Sequence, residues 1–262
     1  MIINSIGDFE KVDRRTFMAL SALSAGNALW GMTEEVDSAV AGGRVDSTVS
    51  SLLKKLTIVQ NQVGYVQFNI LSFDELLKTA SRCKESLTKE EIAFIESIFY
   101  GDPRKYGFYG ERTVPQLTVV TQKKDVVYVD KTGHFLMKGA ATEKYSQIKR
   151  LIGNDLLLTS GVRLPVKQLL LFVKKMANSG GDLRLASNSI APPGFTFHSV
   201  GDFDIGKAGY GQFNFTEKFQ ETDVFKKLYD GGHITIRYTT NNLFGVRYEP
   251  WHIKVTGGFE TA

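Results

Sequence analysis

The stretch Phe197-His198-Ser199-Val200-Gly201-Asp202-Phe203-Asp204-Ile205 decides how this chain is read. It brings an imidazole and two carboxylates close together and leads, through Asp204-Ile205, into a core strand. Its chemical partner lies near the C-terminus, at Glu249-Pro250-Trp251-His252. Together the two stretches offer two imidazoles and a carboxylate as metal ligands, with a second carboxylate free to handle a proton. Zinc is held by this type of ligand, His nitrogen and carboxylate oxygen, and a catalytic zinc site keeps one position open for water.

Working outward, residues 156–159 form an apolar strand candidate that runs into Ser160-Gly161-Val162-Arg163. A helix is expected from about Pro165 to Asn178. A proline near a helix start fits because its missing N–H has no partner there. Leu169, Leu170, Phe172, Val173 and Met176 supply the apolar side of this helix, Gln168 lies on it, and Gly180-Gly181 ends it. Residues 187–197 read as a loop. Asn214-Phe215-Thr216-Glu217 is a capping-box variant, which predicts a helix to about Asp230. Residues 233–238 alternate like a strand, Asn241-Asn242 turns it, and residues 244–255 return as its hairpin partner.

Toward the N-terminus, residues 42–50 read as a linker. Ser72-Phe73-Asp74-Glu75 and Thr88-Lys89-Glu90-Glu91 are capping boxes that open helices ending near Cys83 and Gly101. Residues 100–113 read as a long loop. Two β-branched runs, 117–120 and 126–129, predict a hairpin, with Lys131-Thr132-Gly133-His134 as a further turn. His134 reads as an exposed or hydrogen-bonded turn histidine, since no partner stands at ligand spacing.

A chain of 262 residues with 42% hydrophobic content can bury one sizeable core. A net charge of +4 without a basic, aromatic-interleaved stripe excludes nucleic acid as the expected partner. The single cysteine, Cys83, rules out an intramolecular disulfide. Arg14-Arg15 stands just before the weakly apolar run 17–30, and Ala39-Val40-Ala41 is a small-residue cleavage motif. This pattern resembles a twin-arginine export signal over residues 1–41. It predicts a periplasmic protein with no membrane span after processing. The removed segment carries six acidic and three basic side chains, so the processed chain is more basic than the precursor.

Three islands resemble the D-alanyl-D-alanine carboxypeptidase family, the VanY-like branch of the zinc peptidases grouped with lysostaphin-type enzymes and the hedgehog fold. Ser160-Gly161-Val162-Arg163 with Gln168 is similar to the family's S-G-Y-R-S-x-x-x-Q. His198-x-x-Gly201 followed by Asp204-Ile205 is similar to S-x-H-x-x-G-x-A-x-D-I, with Thr196 in the place of the serine. Glu249-Pro250-Trp251-His252 matches E-P-W-H. The resemblance spans roughly residues 155–255. It implies an α+β fold, a small antiparallel sheet flanked by helices, with a catalytic core over 151–262 and an N-terminal α/β extension over 42–150. It implies His198, Asp204 and His252 as zinc ligands, Glu249 as general base, Arg163 as the residue that holds a substrate carboxylate or carbonyl, and Gln168 as a support of the substrate-binding loop. The implied substrate is a peptidoglycan stem peptide, cut at its terminal D-alanine. An endopeptidase, an L,D-carboxypeptidase and a non-catalytic wall-binding protein stand as alternatives. Asp204 follows His198 by six residues where the family has seven. Either a local irregularity such as a bulge compensates, or Asp202 is the ligand.

Overall fold

The computed structural model describes residues 44–255. The export signal expected over 1–41 lies outside the described residues. From Asp46 onward the chain forms one compact unit.

Helix α1 covers Arg44–Val63, so the linker expected over 42–50 gives way to helix from Arg44. Val49, Leu52, Leu56 and Val59 recur at helical spacing and are wholly buried. Burying that stripe outweighs the modest propensity of the valines and serines around it. A single turn, α2 (Tyr65–Phe68), leads to α3 (Phe73–Arg82) and α4 (Lys89–Tyr100). Both capping boxes form as the sequence predicts, Ser72 with Glu75 and Thr88 with Glu91. Glu91 also accepts hydrogen bonds from Ser51 Oγ and Lys55 Nζ, each at 2.7 Å, which lashes α1 to α4.

The first hairpin differs from expectation. β1 (Val126–Val129) pairs with β2 (His134–Met137), not with 117–120, and the register runs from Val126 opposite Met137 to Val129 opposite His134. A tight reversal needs residues tolerant of positive φ. Lys131 (φ 61°) and Gly133 (φ 80°) supply them, whereas Gln122-Lys123-Lys124-Asp125 contains no glycine or asparagine.

Then follow α5 (Ala140–Ile152), β3 (Leu156–Ser160), α6 (Pro165–Asn178), α7 (Leu183–Ser187), β4 (Phe203–Lys207), α8 (Asp223–Tyr229) and β5 (His252–Ile253). The order β3-β4-β5 makes a three-stranded antiparallel sheet. The helix expected over 214–230 is α-helical only from Asp223, with Thr222 as its cap. Asn214 is not available to cap it, because its amide bonds both the N–H and the carbonyl of Lys207. The hairpin expected over 233–255 shrinks to β5 and one bridge, Ile236 to Ile253. Ile234, Ile236 and Tyr238 are buried in alternation, as expected of a strand.

One face of the sheet presents Leu156, Leu158, Phe203, Ile205 and Ile253 to a core shared with Tyr145 and Ile148 of α5 and Phe225 and Leu228 of α8. Each such side chain contributes about 1.5–3 kcal/mol of burial. Strand residues alternate between faces. Burying Phe203 and Ile205 therefore turns Asp204 to the opposite face, where His252 pairs with it across β4 and β5. The result is an α+β fold with small antiparallel sheets. Among the described residues no helix is long and apolar enough to cross a membrane.

Candidate metal centre and cleft

Three loops deliver the polar side chains to that opposite face. The first is Ser160-Gly161-Val162-Arg163. Gly161 lies so close to β2 that a Cβ there would sit 1.9 Å from the carbonyl oxygen of Phe135, so no other residue fits. Its own carbonyl oxygen lies 2.8 Å from His198 Nδ1. A carbonyl can only accept, so Nδ1 carries the proton and the lone pair is at Nε2. Ser199 Oγ donates to the carbonyl of Arg163 at 2.8 Å, a second stitch between the two loops.

His198 sits in a short 3₁₀ turn, Phe197–Ser199, capped by the Thr196 hydroxyl. The chain then turns at Gly201 (φ 124°) and enters β4. The pairing of β3 with β4 shifts register between Leu158 and Ser160, so Ser160 rather than Thr159 stands opposite Asp204. The pairing irregularity thus lies in β3, beside the residue opposite Asp204.

His198 Nε2 and His252 Nδ1 each lie 3.3 Å from Asp204 Oδ1. His198, Asp204 and His252 are buried, and one ligand atom from each falls within 4.8 Å of the others. His198 Nε2 and Asp204 Oδ1 are buried without a hydrogen-bond partner. Unpaired buried polar atoms are costly. A divalent cation among them would satisfy them, and two imidazoles with one carboxylate are a zinc-type donor set. Arg163 Nη2 stands 3.8 Å from the other carboxylate oxygen of Asp204.

Asp202, the alternative ligand from the sequence, lies behind the ring of His252. Its Oδ2 is 3.0 Å from His252 Nε2, which fixes the tautomer that leaves Nδ1 free toward Asp204 and Glu249. Arg237 grips Asp202 with two donors, and Val255 N–H adds a third bond at 2.9 Å. From sequence Arg237 reads as a strand-face charge. Its guanidinium instead lies 3.6 Å over the Phe197 ring and clamps the carboxylate behind the site. The two residues are 35 positions apart, and local sequence carries no signal of that pairing.

Glu249 is buried, with Oε2 3.7 Å from His252 Nδ1 and Oε1 4.0 Å from Arg247. Burial pushes its carboxyl up to about 7. Burial and the Arg163 charge push His198 down to about 4. For His252 burial works toward lower values, but Asp202 and the other nearby carboxylates win and raise it. Burial opposes ionisation of Asp204, yet the two imidazoles and Arg163 hold its pKa below the usual range.

Gln168 is buried and donates to the Ala191 carbonyl at 2.6 Å, so it anchors the loop leading to His198 rather than the loop of Arg163. Trp251 packs in the sheet core. His134 is neither exposed nor in a turn. It begins β2, is buried edge-on to Tyr65, and has its Nδ1 unpaired. His233 is exposed. Arg163, Asp204, Glu249 and His252 line a cleft of about 610 Å³ whose far wall is made by Leu53, Thr57 and Gln60 of α1 with Tyr65 of α2.

Comparison with known proteins places these observations. The family model of D-alanyl-D-alanine carboxypeptidase, VanY, matches residues 136–258. No curated protein matches the chain. Among solved structures, the LdcB LD-carboxypeptidase is 23% identical over 52% of this chain and 70% of its own, with a TM-score of 0.43. A variant of the vancomycin-resistance D,D-pentapeptidase VanY, in complex with Zn(II), is 23% identical over 50% of this chain and 78% of its own, at 0.41. VanYB in complex with D-alanine-D-alanine is 22% identical over 50% and 77%, also at 0.41. Residues 136–258, which carry all the converging polar side chains, are thus similar to the VanY family of D-alanyl-D-alanine carboxypeptidases.

Proposed function

We propose that this protein is a zinc-dependent D,D-carboxypeptidase that hydrolyses the terminal amide of peptidoglycan stem peptides. The observation that carries the reading is the convergence of His198 Nε2, Asp204 Oδ1 and His252 Nδ1 beside a buried carboxylate, Glu249. His198, Asp204 and His252 would hold the metal. Bound there, zinc supplies Lewis acidity to the scissile carbonyl and lowers the pKa of water toward about 7.

The remaining roles belong to the chain. The carboxylate of Glu249, with a pKa near 7, takes a proton from water and returns it to the leaving amine. Arg163, half-hidden in the cleft with an unpaired Nε, holds the substrate through a carboxylate or carbonyl oxygen. Asp202 and Arg237 orient His252 from behind. The export signal read over residues 1–41 belongs to the same proposal and puts the enzyme in the periplasm, beside its substrate.

The test is product analysis with zinc-supplemented protein on defined muropeptides. Release of D-alanine from a pentapeptide, lost in Glu249→Gln, is the expected result. Release only from tetrapeptides would make it an L,D-carboxypeptidase, and cutting only of cross-linked peptides would make it an endopeptidase. No cleavage of any of them would overturn the peptidase reading.

A further inference from the structure

Lys167 breaks three rules at once. It is only 5% exposed, although lysine is rarely buried without a partner. It lies in the first turn of α6, the positive end of the helix, where a cation is disfavoured and where this helix has no acidic residue. It also shares the cleft with Arg163 and is repelled by it. Among the described residues no carboxylate pairs with it. Its Nζ donates to the amide oxygen of Gln60 at 3.0 Å and stands 4.3 Å from the centre of the Tyr65 ring. Those contacts aim the ammonium but do not neutralise it, and burial pushes it down to about 8.

The cleft as a whole is unbalanced in the same direction. Arg163, Lys167, Lys174 and Arg247 line it; among the described residues Asp204 and Glu249 are its only carboxylates, and both of these face the metal-binding end. Departures from local rules that nothing nearby compensates collect at functional sites. An anion between Lys167 and Arg163 would compensate all three. Gln60 and Tyr65, which hold the lysine, come from α1 and α2, outside the residues matched by the family model.

We infer that Lys167, held by Gln60 and Tyr65, forms with Arg163 a subsite for the free C-terminal carboxylate of the peptide, and that it selects terminal over internal amide bonds. The inference rests on the carboxypeptidase reading and refines it. Two cations on one carboxylate would favour a substrate that ends just past the scissile bond. A peptide that continues would bring a neutral amide to the same place and leave Lys167 uncompensated.

The test measures binding, so that it does not depend on turnover. The full chain carrying Glu249→Gln is titrated calorimetrically, with zinc, against N-acetyl-D-alanyl-D-alanine and its C-terminal amide. The acid is expected to bind roughly 10- to 100-fold more tightly, the range of a charged hydrogen bond. That preference should vanish when Lys167→Met is added and persist with Lys167→Arg. The Lys167→Met chain should also melt no lower than its parent, since an uncompensated buried charge is removed. Equal affinity for acid and amide, an acid preference that survives Lys167→Met, or a Lys167→Met chain that melts lower or fails to fold would each overturn the subsite. Failure of the peptidase reading shows separately, as intact muropeptides with wild-type protein, and leaves the acid-to-amide ratio to judge Lys167.

Discussion

Two buried carboxylates, Glu91 and Asp204, have opposite circumstances. Glu91 joins α4 to α1 and spends its oxygens on Ser51, Lys55 and the Thr88 N–H. Asp204 stands on the polar face of the sheet with Oδ1 bonded to nothing, 3.3 Å from each of two imidazoles. Both are hidden from water, so burial alone does not separate them. Hydrogen-bond satisfaction does. A buried acid with every oxygen occupied holds a structure together, whereas one with a bare oxygen among other bare donors waits for a ligand.

The largest effects should fall at the unsatisfied site. Asp204→Ala is expected to abolish stoichiometric zinc, read by mass spectrometry of the purified chain, while Glu91→Ala retains it. Zinc at full occupancy in Asp204→Ala would break the contrast. Glu249→Gln should lower kcat by about 10²- to 10⁴-fold with zinc still bound, as expected for loss of a general base. A smaller effect follows behind His252. Asp202→Asn removes the charge that orients His252 and should weaken zinc binding by roughly 10- to 100-fold in a chelator competition. No change would mean that Arg237 and Asp202 merely pack.

At the satisfied site the effect should be one of stability. Glu91→Ala is expected to cost about 2–3 kcal/mol in urea unfolding, because it removes charged hydrogen bonds and half of a capping box. The smallest effect is its pH dependence. Burial works against ionisation of Glu91, but the bonds from Lys55, Thr88 and Ser51 outweigh it and hold its pKa below the ordinary value. The unfolded chain then binds the proton more readily, so this contribution is complete above the unfolded carboxyl range and is lost as pH falls through the folded pKa. The stability gap between wild type and Glu91→Gln should therefore be wider at about pH 6 than at about pH 4. A gap that widens on acidification would contradict the assigned hydrogen bonds.

What could be read without coordinates follows the same division between local and distant. Capping boxes act within four residues, so Ser72-Glu75 and Thr88-Glu91 could be placed from the sequence, and so could α6 with its leading proline and apolar stripe. Residues 117–120 were expected to pair with 126–129, yet the positive-φ positions at Lys131 and Gly133 govern that hairpin. The run at 42–50 looks like a linker until the burial of Val49 and Leu52 is known. Arg237 and Lys167 were invisible as site residues, because nothing in their neighbourhoods names Asp202 or Gln60.

The sequence by itself determined the types and order of the candidate site residues: Arg163, His198, Asp204, Glu249 and His252 could be named because residue chemistry and the resemblance of three short motifs to a known family are properties of the chain. Only the tertiary structure decided where each carboxylate stands. Alternation in β4 buries Phe203 and Ile205 and turns Asp204 inward among the imidazoles, while Asp202, two residues earlier and before the strand, is drawn off by Arg237 and the far side of His252. It also decided that the cleft has a wall from α1 and that Lys167 lies uncompensated against it. Those outcomes depend on contacts between residues tens to more than a hundred positions apart. Such contacts follow from packing the sheet and helices together, and local spacing does not encode them.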